Sequence, residues 1–168
     1  MIGATPGRGV ATRDASWTRR LASGLARAGV RPVAVSVACV FFAGVAAAGV
    51  VGAADATPAL QPVLMLAGAA AIQLRLLCNL LDGMLAVEEG LKTKRGDLFN
   101  EIPDRVADVV ILAGAGYAVP VMAGAIALGW AAAAAALFTA YVRVLGGSLG
   151  GTQRFIGPMA KQHRMFAL

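Results

Sequence analysis

The feature that most constrains this chain is the length of its apolar stretches. Residues 32–54 contain no charged side chain, residues 58–81 contain only Arg75, near their end, and residues 109–142 contain none. A helix needs roughly 20 apolar residues to cross the hydrocarbon core of a bilayer. The third stretch is too long for one helix and contains a proline, so we predict two helices joined by a turn at residues 119–122. The predicted fold is an all-α, polytopic transmembrane helix bundle of about four spans.

Composition supports a membrane protein and argues against a nucleic-acid-binding one. Hydrophobic residues make up 58% of the chain and charged residues 14%, whereas a soluble domain carries about a quarter charged residues. The net charge is +6, but the Lys and Arg residues form no basic patch with interleaved aromatic residues. We therefore expect contact with membrane lipids and no nucleic acid. Both cysteines fall in the apolar stretches, so no disulfide framework is predicted.

Positive charges are distributed unevenly between the two sides of the predicted bundle. Of the 15 Lys and Arg residues, six precede the first span, three lie between the second and third, and four follow the last. The connections on the opposite side carry Asp55 as their one charged residue. By the positive-inside rule, the N-terminus, the loop at residues 87–97 and the C-terminus are cytoplasmic. We therefore predict a multi-pass protein of the inner (cytoplasmic) membrane.

The region before the first span has a different character. Residues 1–31 are predicted to be a cytoplasmic tail followed by an amphipathic helix at residues 14–29 that lies in the membrane interface. The apolar face of this helix consists of Trp17, Leu21, Leu25 and Ala28. Residues 32–168 then form the transmembrane domain.

Polar side chains are concentrated at the end of the second apolar stretch and at the start of the third. Asn79 and Asp82 are three residues apart, and Asn100, Asp104 and Asp108 follow one another at intervals of four, so each set shares one helical face. Ionisable groups in a membrane are costly and usually functional. Two helices joined by a short loop should be antiparallel neighbours whose oxygen-bearing faces converge. Oxygen ligands without His or Cys suit a hard divalent cation such as Mg²⁺.

Simpler explanations exist for parts of this pattern. Gly83 and Ala86 either leave room for a ligand or form a small-residue helix-packing interface. The polar residues as a group could reflect helix caps and interface polarity, although capping does not explain two matched faces. Asp108, one turn beyond Asp104, either supports the site or faces another helix.

The spacing of these residues resembles the signature of the CDP-alcohol phosphatidyltransferases, D-x2-D-G-x2-A-R-x8-G-x3-D-x3-D. Every interval is kept over 26 residues, and Pro32 and Ser36 before the first span are similar to the family's entry motif. The signature positions are Asn79, Asp82, Gly83, Ala86, Val87, Gly96, Asn100 and Asp104. Asn79 and Asn100 stand where the family has Asp, and Val87 stands where it has Arg.

The resemblance implies transfer of a phosphatidyl group from CDP-diacylglycerol to a small alcohol or alcohol phosphate, with release of CMP, at a site on the cytoplasmic side. It implies Mg²⁺ (or Mn²⁺) held by Asn79, Asp82, Asn100 and Asp104. Asp104 would also be the catalytic base. Substrate-binding residues would be Gly83, Ala86 and Gly96, with Arg75 or Arg95 replacing the arginine missing at position 87. A homodimer is compatible with this assignment.

Two other hypotheses remain open from the sequence. A relative with a weakened site could be a non-enzymatic, lipid-binding membrane protein. A small transporter using Asp82, Asp104 and Asp108 as a cation path has no inverted repeat or broken helix to support it. The family typically has six spans, so a count of four indicates a minimal or truncated form.

Overall fold

The computed structural model describes residues 16–88 and 94–149, and that part of the chain is entirely helical. The side chains of residues 86–100 are outside this description, and so are residues 1–15 and 150–168. The helices are α1 (Ser16–Arg27), α2 (Pro32–Ala54), α3 (Gln61–Glu88), α4 (Lys94–Tyr117) and α5 (Ala125–Ser148). The prediction of an all-α fold is confirmed.

Among the described residues, three helices are long and apolar enough to cross a membrane: Pro32–Ala54, Gln61–Leu85 and Ala125–Ser148. The prediction of a helical membrane bundle is therefore confirmed. The bounds of α2 coincide with those of the first apolar stretch. Pro32 is the first residue of this helix and follows Arg31 in an extended conformation, as expected because proline has no N–H to leave unpaired there.

The third of the four predicted spans corresponds to α4, which is too polar to meet the same criterion. Its first 15 residues, 94–108, include seven charged ones. The helix nevertheless packs beside α2 and runs in the same direction. Ala107 lies in the same buried cluster as Ala43, and Gly114, farther along α4, lies next to Ala47, farther along α2. The described chain thus has three apolar spans, not four, and one polar helix packed among them.

The order of packing differs from the order along the chain. Helix α2 packs along both α3 and α4, and α5 packs on the far side of α4. Consecutive helices α3 and α4 therefore touch over only a short stretch. The two helices were expected to be antiparallel neighbours, and they contact each other through Arg75 and Asp104, but α2 lies between them along most of their length. The small core side chains of α2, including Cys39, Ala43 and Ala46, allow this central position.

Helix α1 lies against the end of α3. Ala22 is buried in a cluster with Leu81 and Leu85, whereas Trp17 and Leu21 are 52% and 43% exposed. The helix ends at Arg27, two residues before the predicted end, and its apolar residues divide between contact with α3 and the outer surface. An outward-facing tryptophan is typical of a helix at the membrane interface, so that position for α1 stays a prediction.

Helices α4 and α5 are joined by residues 118–124, which include the predicted turn. The turn ends at Gly124, which has a φ of 84° that other residues rarely adopt. Directly beside it the two helices approach closely: a Cβ added at Gly116 would lie 2.7 Å from the carbonyl oxygen of Ala125 and 3.1 Å from the Cα of Gly129. The closeness of this contact requires glycine.

We predict that Gly116→Ala destabilises the bundle. The added methyl group has only backbone atoms around it, which cannot rotate away, and overpacking of this kind costs about 1–3 kcal/mol. Gly44→Ala is the matched control, because nothing lies within 4 Å of a Cβ at that helical position. Thermal unfolding in one detergent should show a lower midpoint for Gly116→Ala alone. Equal midpoints would mean that α4 and α5 are farther apart than described.

Candidate functional site

Buried polar side chains from three helices meet near the start of α2, and we call this group the polar cluster. It contains Ser36 of α2, Arg75 and Asp82 of α3, and Asp104 and Asp108 of α4. All five residues are buried, in a chain whose core otherwise consists mainly of alanine, leucine and isoleucine. Such groups are stable there only when they are paired.

Arg75 is the centre of the polar cluster. Its side chain is 0% exposed, and one nitrogen, Nη2, lies 2.8 Å from Oδ1 of Asp104 and 2.6 Å from Oδ1 of Asp108. The same nitrogen lies 3.2 Å from the backbone carbonyl oxygen of Asp104. Asp104 and Asp108 are one helical turn apart, so their carboxylates converge on a single guanidinium nitrogen. This contact joins α3 to α4.

The other two nitrogens of Arg75 have a different environment. Nε and Nη1 are buried and have no hydrogen-bond partner among the residues that the structure describes. A buried donor without a partner costs about 1–3 kcal/mol, and more when the group is charged. These two nitrogens could therefore donate hydrogen bonds to an oxygen atom from outside the described residues.

Asp82 is held from the opposite side of the polar cluster. The hydroxyl of Ser36 lies 2.5 Å from Oδ2 of Asp82 and 3.2 Å from the carbonyl oxygen of Pro32. The first distance is the shorter, so the Ser36 hydroxyl donates its hydrogen bond to the Asp82 carboxyl group. Asp82 and Asp104 also interact through their charges, which places the two acidic positions of the signature near each other.

A second arginine borders the polar cluster on α4. Arg105 donates hydrogen bonds from Nε and Nη2 to Oε1 of Glu101, one turn away. Its Nη2 also lies 3.4 Å from Oδ2 of Asp104, and its Nη1 lies 3.5 Å from Oδ2 of Asp108. Asp104 and Asp108 are therefore each flanked by two guanidinium groups. This pairing offsets the cost of burying their charges.

The predicted site residues divide into those the structure brings together and those it does not describe. Arg75, Asp82 and Asp104 are together, and Asn79 and Gly83 are partly buried on α3 beside them. Ala86 lies in α3, and Arg95, Gly96 and Asn100 lie in α4, but their side chains are outside the described part of the structure.

Two features of the site were not deduced from the sequence. The ion pair of Arg75 with Asp104 and Asp108 was missed, because Arg75 was interpreted as a substrate-binding residue. A single charge in an apolar stretch was the available signal, since such a charge needs a partner inside the bundle. The hydrogen bond from Ser36 to Asp82 was also missed, although Ser36 was noted as part of the entry motif.

The described side chains do not fit the divalent cation that the resemblance implies. Asp104, the last of the four predicted ligands, already faces guanidinium nitrogens through both oxygens. Asn79 is neutral, and no three His, Cys, Asp or Glu side chains form a metal-binding group among the described residues. Mg²⁺ needs several oxygen ligands with enough negative charge to offset its dehydration. The magnesium site remains a prediction from the sequence.

Comparison of the chain with protein-family models, with curated proteins and with solved structures found no match. The functional argument therefore depends on the spacing of the signature residues and on the geometry of the polar cluster.

We predict that Ser36→Ala destabilises the protein by about 1–3 kcal/mol, because Asp82 loses a hydrogen bond in a buried position. Ser23→Ala is the control, since the Ser23 hydroxyl donates to a carbonyl oxygen at an exposed position on α1. Denaturation of both variants in the same detergent should separate them. A Ser36→Ala protein as stable as Ser23→Ala would contradict the pairing with Asp82.

Proposed function

We propose that this chain is a multi-pass membrane enzyme that transfers a phosphatidyl group from CDP-diacylglycerol to a small alcohol or alcohol phosphate. The observation that carries the proposal is that Asp82 and Asp104, from different helices, are both buried and lie close enough for their charges to interact. Both are acidic positions of a signature whose spacing is complete over residues 79–104.

The reaction requires an acceptor for the proton of the alcohol. The alcohol oxygen attacks the β-phosphorus of CDP-diacylglycerol, the bond from that phosphorus to the CMP oxygen breaks, and CMP leaves with the bonding electrons. Asp104 accepts the hydroxyl proton, since a carboxylate needs only hydrogen-bond reach to act as the base. Arg75 positions this carboxylate through the 2.8 Å contact to Oδ1.

Transfer of a phosphoryl centre also needs positive charge near the phosphate oxygens. Arg75 and Arg105 provide guanidinium groups within and beside the polar cluster. The Nε and Nη1 groups of Arg75, which have no partner among the described residues, are suitable donors to a phosphate oxygen. This role replaces part of what the arginine missing at position 87 would do.

The location of the polar cluster supports a cytoplasmic active site. Ser36 and Asp82 of the polar cluster lie near the start of α2 and the end of α3, the ends that the distribution of Lys and Arg assigns to the cytoplasm. CDP-diacylglycerol can lie in the cytoplasmic leaflet, with its polar headgroup near the polar cluster. The proposed compartment is therefore the inner membrane, with membrane lipids as neighbours and a homodimer as an additional proposal.

One observation favours a second candidate function. Asp104 and Asp108 are already paired with Arg75, so a substrate hydroxyl would have to compete with this guanidinium for the Asp104 carboxylate. The alternative is a relative that keeps the lipid-binding position but not the chemistry, and acts as a non-enzymatic membrane or lipid-binding protein.

We predict that the purified chain in nanodiscs releases CMP from CDP-diacylglycerol when a suitable alcohol is supplied. Asp104→Asn should abolish release, because the amide still accepts a hydrogen bond from Arg75 but cannot accept the proton. Glu101→Gln is the matched control, since it alters a neighbouring carboxylate on α4 that is 42% exposed and is expected to retain activity. Labelled CMP is measured for a panel of alcohols in Mg²⁺, in Mn²⁺ and in a chelator.

Binding of CDP-diacylglycerol without CMP release under every condition would favour the non-enzymatic candidate. Asn79→Asp with Asn100→Asp then provides a further arm, because it restores the two acids of the resembled signature. Release that appears only in this double variant would show that the scaffold is competent and that the native side chains have lost the chemistry. Absence of lipid binding would contradict both candidates.

We predict that the two ends of α2 lie on opposite sides of the membrane. Topology reporters inserted at Asp55 and at Lys94 should report opposite compartments, with Lys94 in the cytoplasm, because positive charge is concentrated on that side. A fusion after Arg31 is the control and should agree with Lys94. The same side for Asp55 and Lys94 would overturn the arrangement of α2 and α3.

A further inference from the structure

We propose that Arg75 is a built-in cation of the polar cluster, which takes the position beside Asp104 and Asp108 that a divalent metal would otherwise take. The pair of carboxylates then binds no metal ion, and the cluster folds without one. This inference goes beyond the proposed transfer, because it concerns how the buried charge is balanced whether or not the reaction occurs.

The geometry at Arg75 is that of a cation between two acids. A single nitrogen contacts Oδ1 of Asp104 at 2.8 Å and Oδ1 of Asp108 at 2.6 Å, so both oxygens point to the same place. Two buried carboxylates repel each other and converge only when a positive charge lies between them. The guanidinium supplies that charge, and a metal ion could bind there only after displacing it.

Displacement of the guanidinium is opposed by its burial. The Arg75 side chain is fully buried, about midway along the 28-residue α3. An arginine near a helix end can extend to the headgroup region, but one packed inside a bundle has no such route. Helix α2 packs along both α3 and α4, so the guanidinium cannot leave without separation of these helices.

The signature residues change charge in the same direction. Asn79 and Asn100 are neutral where the resembled signature has carboxylates, which removes two negative charges. The guanidinium of Arg75 adds a positive charge close to Asp104. Each change lowers the attraction of the site for a divalent ion, because the Coulomb energy scales with the product of the charges. Three changes with one electrostatic effect are what a site adapted to an internal cation would show.

The test measures metal binding and stability rather than turnover. The full chain in detergent is stripped with a chelator and titrated with Mn²⁺, and binding is followed by electron paramagnetic resonance and by thermal unfolding. The wild type should show no Mn²⁺ binding that depends on Asp104, and its unfolding midpoint should be the same in Mn²⁺ and in chelator.

Arg75→Gln should behave in the opposite way. With this guanidinium gone, Asp104 and Asp108 lose their two shortest ion pairs and keep the longer contacts to Arg105, so the midpoint should fall in chelator and recover in Mn²⁺. The Mn²⁺ affinity should rise on the order of tenfold or more. Arg20→Gln is the matched control, because it removes the same charge from an exposed arginine on α1. It should match the wild type in both measurements.

Further variants keep the test decisive. If Arg75→Gln is purified only in Mn²⁺, that requirement itself supports the proposal, and adding Asp108→Asn should weaken the dependence on Mn²⁺. If it does not fold at all, the wild-type titration decides. Mn²⁺ binding by the wild type that is lost in Asp104→Asn would overturn the proposal, as would folded Arg75→Gln with no response to Mn²⁺. Because no arm measures CMP, failure of the transfer reaction would leave these outcomes unchanged.

Discussion

The ion pairs of Arg75 with Asp104 and Asp108 are the interaction on which the arrangement of this bundle depends. They place a full charge inside a stack of mainly apolar helices, where an unpaired arginine would cost several kcal/mol. Helices α3 and α4 otherwise touch only briefly, because α2 packs between them. The contact therefore sets the height of α4 relative to α3, and with it the position of Asp104 relative to Asp82.

Small residues and buried charge have complementary roles in this fold. Gly116 and Gly129 allow α4 and α5 to approach until their backbones are in contact, and alanines of α2 allow it to fit between two other helices. Van der Waals packing of this kind is a main source of helix association in membranes, since lipid removes most of the hydrophobic driving force. It specifies position along the helix only weakly. The polar cluster provides that specificity, because the ion pairs of Arg75 with Asp104 and Asp108 can form in one register.

The sequence predicted the elements of this fold better than their contacts. The bounds of α2 follow from an uncharged stretch that begins at Pro32, and a long apolar run with a proline predicts the break before α5. The partner of Arg75 is not encoded locally, because it depends on which helices pack together in three dimensions. Helix α4 shows the same difficulty: its charges exclude it as an apolar span, yet pairing with Arg75 accounts for two of them inside the bundle. Resemblance to a signature drew attention to Asp82 and Asp104, but not to the ion pair of Arg75 with Asp104.

The order of these residues along the chain has a consequence for synthesis. Helix α3 leaves the ribosome before α4, so Arg75 reaches the membrane while Asp104 and Asp108 are still being made. A central arginine disfavours insertion of an isolated helix by about 2.5–3.5 kcal/mol. Stable entry of α3 into lipid is therefore coupled to the arrival of α4, and the two should leave the translocon as a unit. Biogenesis of this protein is in that sense a two-helix event, with the counter-charge delivered in cis by the next segment of the nascent chain.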